Sequence, residues 1–105
     1  MKLIELIALL ETLNIPIAYH HFKSPQTPPF LIYIDVDSES FIADDTVYHE
    51  VVNVDIELYS VERDRALESR IKGLLNSAEI PYGFSVIFIE ATKQYKSTYE
   101  VIVNG

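Results

Sequence analysis

Apolar residues recur at helical spacing at the start of the chain. Leu3, Ile4, Ile7 and Leu10 fall together, with Glu5, Ala8 and Thr12 on another side, which predicts an amphipathic helix over residues 2–13. Leu6 and Leu9 widen its apolar face beyond what a one-sided surface helix needs. Either the second helix or a sheet edge covers that width, or it is a subunit contact. Asn14 suits the left-handed residue that closes a helix, and Ile15-Pro16 prevents continuation.

The period then changes. Residues 17–22 begin extended and lead into a loop in which Pro25, Pro28 and Pro29 forbid a central strand. Phe30 to Val36 is rich in β-branched and aromatic residues and reads as a well-buried strand. Asp37-Ser38-Glu39-Ser40 reads as a polar turn, Phe41-Ile42-Ala43 as a short strand, and Asp44-Asp45 as another turn. From Val47 to Tyr59 the alternation is strict, with Val52, Val54, Ile56 and Leu58 on one face and Asn53, Asp55, Glu57 and Tyr59 on the other. One face of that strand packs on the core and the other meets water or a partner. The strand is long against the usual 5–6 residues, and such strands often project as an arm or hairpin.

A second helix follows over residues 63–78, its stripe formed by Leu67, Ile71, Leu74, Leu75 and Ala78. Glu68 and Lys72 stand at i,i+4 in the favourable order, and either Ser60 or Asp64 serves as the cap. Ile80-Pro81 breaks this helix as Ile15-Pro16 breaks the first. Strands over 84–91 and 97–103 close the chain, joined through residues 92–96. The order α-β-β-β-α-β-β, with a further extended piece at 17–22, predicts an α+β fold. Its architecture is a two-layer sandwich, a mainly antiparallel sheet with two helices packed on one face.

Composition fits one domain spanning residues 1–105. The chain is 49% hydrophobic and 23% charged, within the globular range. It has no cysteine, so disulfides and thiolate metal sites are excluded. Sixteen acids against eight bases give a net charge of −8. The one basic cluster, Arg63, Arg65, Arg70 and Lys72, is interleaved with Glu62, Asp64 and Glu68. Specific nucleic-acid binding and adhesion to an anionic membrane are therefore not expected. The apolar start is interrupted by Glu5 and lacks a small-residue cleavage site, so it reads as a helix rather than a leader, and it is too short to span a bilayer.

Signs of catalysis are missing from the sequence. His20 and His21 are adjacent in extended chain, which would point them to opposite faces and away from one metal; His49 lies far along the chain. Asp35-Val36-Asp37-Ser38-Glu39 starts like a calcium loop, but Ser40 and Thr46 stand where glycine and the closing acid belong. Gly73, Gly83 and Gly105 build no phosphate loop, and no glycine-flanked nucleophile is present. No cofactor is expected, and the chain is not expected to be an enzyme. The seven tyrosines carry more information. Tyr19, Tyr48 and Tyr95 fall in or beside expected loops, where each is either core or interface.

Several segments together resemble a family of small tail-completion proteins, tail terminators or head–tail joining proteins, of long-tailed phages and prophages of Gram-positive bacteria. They are Leu13-Asn14-Ile15-Pro16-Ile17-Ala18-Tyr19-His20-His21-Phe22, Pro28-Pro29-Phe30-Leu31-Ile32-Tyr33 and Ala43-Asp44-Asp45-Thr46-Val47-Tyr48. The strand–helix passage Asp55 to Asp64, then Ile80-Pro81-Tyr82 and Tyr99-Glu100-Val101, complete the set in order across nearly the whole chain. Gly83 to Ile89 departs from it, since relatives are often more charged there.

The resemblance implies a structural virion-assembly protein. It would form a ring of its own copies, commonly a hexamer, that caps the tail tube and docks to tube and head-connector proteins. Its place would be the virion tail, and the host cytoplasm during assembly. Rings need two different surfaces per subunit, and the expected contact residues are Phe41, Ile42, Asp44, Asp45 and Tyr48 in an acidic loop from Asp35 to Tyr48. Tyr19, and Asp55 and Glu57 on the polar face of the long strand, join them. The competing expectation is a small-ligand-binding or regulatory α+β domain without catalysis, which predicts a closed apolar pocket with convergent polar groups.

Overall fold

The computed structural model describes residues 1–43 and 47–104, with side chains described for 1–36 and 51–104. The elements run α1 (Leu3–Glu11), β1 (Ile17–Tyr19), β2 (Phe30–Ala43), β3 (Val47–Ser60), α2 (Arg65–Ser77), β4 (Gly83–Ile89) and β5 (Gln94–Asn104). This is an α+β fold of two helices and a five-stranded, mostly antiparallel sheet in the order β1-β2-β3-β5-β4. Among the described strands only β1 and β2 pair in parallel, Ile17 opposite Leu31 and Tyr19 opposite Tyr33, and an isolated parallel bridge joins Lys2 to Asn104. The proline-rich connection between them is long enough to carry the chain back to the same end of the sheet.

Period 2 sets the core. Val52, Val54, Ile56 and Leu58 of β3 stand opposite Val103, Val101, Tyr99 and Ser97 of β5, all buried. Leu31 of β2 extends the row, and Leu6, Leu10 and Leu13 join the same buried cluster as Leu67, Ile71 and Leu75 of α2. Burying aliphatic side chains of this size stabilises the fold by roughly 1.5–3 kcal/mol each. The buried stripe is therefore Leu6 and Leu10 of α1 with Leu13 just past its end: Leu10 was expected there, Leu6 was expected only to widen the face, and Leu13 was not named. Leu3 and Ile7 pack at its margin, whereas Ile4 is 77% exposed.

Both helix ends settle open points. Asp64 caps α2, its carboxylate accepting from Leu67 N–H at 2.9 Å; Ser60 still belongs to β3. At the other end Glu79 takes the left-handed conformation (φ 58°). Ile80 N–H then donates to Leu75 C=O at 2.9 Å and Glu79 N–H to Asn76 C=O at 3.0 Å. This paired closure, with Ile80 buried behind it, satisfies carbonyls the helix leaves open. Asn14 is left-handed too (φ 58°), so each helix is followed by a left-handed residue, isoleucine and proline.

The hairpin differs most from expectation. Residues 37–40, expected as a turn, lie inside β2, which runs unbroken to Ala43 apart from a bulge at Val36. β5 pairs with β3 only from Val51 onward, and β1 pairs with β2 only as far as Tyr33. Beyond those limits, among the described residues, β2 and β3 pair only with each other, to Ala43 opposite Val47. Polar residues mark a turn when a strand has a core to face. Past Tyr33 β2 is an outer strand of the sheet, and there polar residues can continue a strand. The expected linker at 92–96 is also shorter, because β5 begins at Gln94 and takes in Tyr95.

Candidate functional site: the open face of the sheet

Opposite the core, the side chains of odd-numbered β3 residues lie in register with even-numbered ones of β5. Asp55 faces Glu100, which faces Gly83 of β4; one pair along, Glu57 faces Thr98. Two carboxylates directly opposite on one face repel. Burial first, then Glu100 and Glu57, push the Asp55 carboxyl above its ordinary range. Around them Ile102 is 64% exposed, Val36 60% and Ile87 52%. Gly83 presents no side chain, and a shallow depression of about 470 Å³ opens there between Asp55, Glu100, Val36 and Ile102. The face is thus acidic at its middle, with Ile102, Val36 and Ile87 exposed among polar Asn53, Thr98, Ser85 and Lys96.

Expected contact residues divide. Asp55 and Glu57 lie on this face, but Glu57 is only 8% exposed. It accepts from Tyr59 Oη at 2.9 Å and lies 3.8 Å from Lys96 Nζ, so it is largely satisfied within the chain rather than presented. Tyr59 is correspondingly held in its protonated form, its pKa raised by burial first and then by Glu57. Tyr19 sits at the far edge of the sheet, in β1, and not in a loop. Its hydroxyl donates to the Asp35 carboxylate and its ring tilts against Tyr33 at 5.4 Å, so half of it is occupied by its own chain. Ile42 and Tyr48 are register partners and Phe41 pairs with His49 on the ribbon, which corrects the expected loop from Asp35 to Tyr48 to a hairpin. The side chains of Phe41, Ile42 and Tyr48 lie outside the described residues, as do Asp44 and Asp45 altogether. Tyr95 packs on Phe88 at 5.0 Å.

Sequence alternation alone did not single out Glu100, Ile102 and Gly83. The signal was available, since β5 alternates as strictly as β3, with Tyr99, Val101 and Val103 on one face and Thr98, Glu100 and Ile102 on the other.

Behind the core face a polar network ties α2 to β5. Arg63 donates to both carboxylate oxygens of Glu68, at 3.0 and 2.9 Å, and Ser97 Oγ donates to the same group at 3.0 Å. Tyr99 Oη adds a bond to Glu68 C=O at 3.2 Å. Arg63's hydrogen bonds, opposed by burial and reinforced by Ser97, hold the Glu68 carboxyl below its ordinary range. The expected Glu68–Lys72 pair is not made; Lys72 Nζ lies 3.7 Å over the Phe84 ring instead.

His20 and His21 also depart from expectation. His20 is left-handed (φ 66°), so the chain is not extended there and the two Nδ1 atoms lie 3.0 Å apart. Among the described residues no group of three or more His, Asp or Glu side chains is placed to hold a metal ion. Among the described residues no helix is long and apolar enough to cross a membrane. No protein-family model matches the chain, and no curated protein is matched either.

Proposed function

We propose that the chain is a structural assembly protein, a tail terminator or head–tail joining component that forms a ring and docks to tail-tube and connector proteins. The reading takes the molecule as a two-layer sandwich, with both helices backing one sheet face and the other face left for partners. One observation supports it above the rest: β2 and β3 run past the sheet as a ribbon of two strands whose outer edges no other described strand pairs. A two-stranded ribbon is at best marginal alone in water, and its free edges are templates for further pairing. Such a segment gains most from a neighbouring copy or a partner. The acidic, half-apolar open face is a second surface for contact, and the net charge of −8 suits a channel through which DNA must slide. The resemblance described above supplies the named role. The shallow depression at Gly83, open to solvent, gives the small-ligand alternative less support than a closed pocket would.

Negative-stain electron microscopy tests the proposal. The concentrated protein, alone and mixed with tail tubes of the phage or prophage that encodes it, is expected to give rings or capped tube ends. A protein that stays monomeric in both samples and leaves tube ends bare would overturn it.

A further inference from the structure

The outer side of α2 complements the open sheet face in charge and carries a low strip of small residues. Its exposed residues are Arg65, Ala66, Ser69, Arg70, Gly73, Asn76 and Ser77, with no acid among them. The helix's one acid, Glu68, is turned inward and neutralised by Arg63. At 100° per residue, Ala66, Ser69, Gly73 and Ser77 form a low strip, with Arg65 and Arg70 on its two flanks. A side chain built on Gly73 would meet nothing within 4 Å, so the strip is open. Among the described residues neither Arg65 nor Arg70 has an ion pair within the chain.

We infer that α2 of one copy docks on the open sheet face of the next, its small-residue strip over Ile102 and Ile87, and Arg65 and Arg70 against Glu100 and Asp55. Cations there relieve the repulsion between the two facing carboxylates, and the strip covers apolar area that is otherwise wet. The occupant is a second copy because both halves of the match belong to this chain. Because α2 shares its buried cluster with the opposite face of the sheet, the two surfaces point away from each other. The contact is therefore front to back, the heterologous kind that closes into a ring or runs on as a filament. Ring closure rests on the assembly proposed above; the contact does not.

Because the natural chain has no cysteine, introduced pairs report cleanly. Ser69→Cys on α2 and Ile102→Cys on the sheet leave all four charges in place. A short bis-maleimide is expected to join the two variants when mixed, and to give a ladder from the double variant. Ser69→Cys with Lys93→Cys, at the β4–β5 turn, is the control pair. Arg65→Glu with Arg70→Glu is expected to lower the Ser69–Ile102 yield at least about tenfold. Asp55→Lys with Glu100→Lys in the neighbouring copy should restore it, which also shows that the variants fold. The contact is wrong if the pair links no better than its control, or if reversal leaves the yield unchanged. Rings without this link would refute the contact and spare the ring; a ladder that never closes would do the opposite.

Discussion

Replacing Glu68 by Gln keeps the side chain's shape and removes its charge. Glu68 is 3% exposed, and its carboxylate takes two bonds from Arg63 and one from Ser97. Hydrogen bonds to charged groups contribute roughly 1.5–3 kcal/mol net. Breaking a fully buried ion pair costs about 3–5 kcal/mol, because a charge is left unpaired in the interior. Here the residual charge belongs to Arg63, whose side chain is 29% exposed and can turn to water, so the lower range applies. A loss of about 2 kcal/mol lowers Tm by roughly 8–16 °C in a domain of this size. The pH dependence separates an ionic effect from a packing one. Glu68's folded pKa lies below its ordinary 4.5, so its stabilisation is complete above that pH and is lost as the pH falls through the lower folded value. Thermal melts of Glu68→Gln and the natural chain should therefore differ fully at pH 7 and converge in acid. A gap that persists below the folded pKa would show that the loss comes from packing, and would refute the ionic role given to Arg63.

Three further outcomes follow from the same geometry. Asp55→Asn should raise Tm at pH 7, since Asp55 is a carboxylate whose folded pKa is raised; its ionised form opposes folding, and the gain should vanish below pH 3.8, where the natural residue is protonated. The same variant should weaken self-association, and a lower Tm would count against the repulsion. Glu79→Gly should stabilise by about 1 kcal/mol, read as a Tm rise of roughly 4–8 °C, because a left-handed residue with a side chain costs that much. Phe41→Ser with Ile42→Ser, on the ribbon beyond the sheet, should impair assembly while Tm stays close to that of the natural chain; a fall of several kcal/mol would place these residues in a core.

Much of the fold was legible in period and punctuation. The 3.6 spacing of Leu67, Ile71 and Leu75 and the strict alternation from Val52 to Leu58 each named the buried residues correctly. Asn14 and the two Ile-Pro breaks placed the helix ends. The failures have physical causes. In α1 and the turn after it most residues are apolar, so the pattern could not say which three of Leu3, Ile4, Leu6, Ile7, Leu9, Leu10 and Leu13 face the core. In β2 the polar run 37–40 mimicked a turn because β2 is an outer strand past Tyr33, where polar residues continue a ladder as readily as they end one. Glu57 looked exposed from alternation alone, yet Tyr59 and Lys96 beside it bury and satisfy it. The open face became visible only when the register set Asp55 beside Glu100 and Gly83, a juxtaposition that no single strand contains.

Native mass spectrometry of the full chain, across a concentration series and with tail tubes added, tests the assembly role most directly. A single closed stoichiometry, sharpened by the tubes and lost in Arg65→Glu with Arg70→Glu, is the predicted result. A monomer at every concentration, with no complex on the tubes, would contradict it.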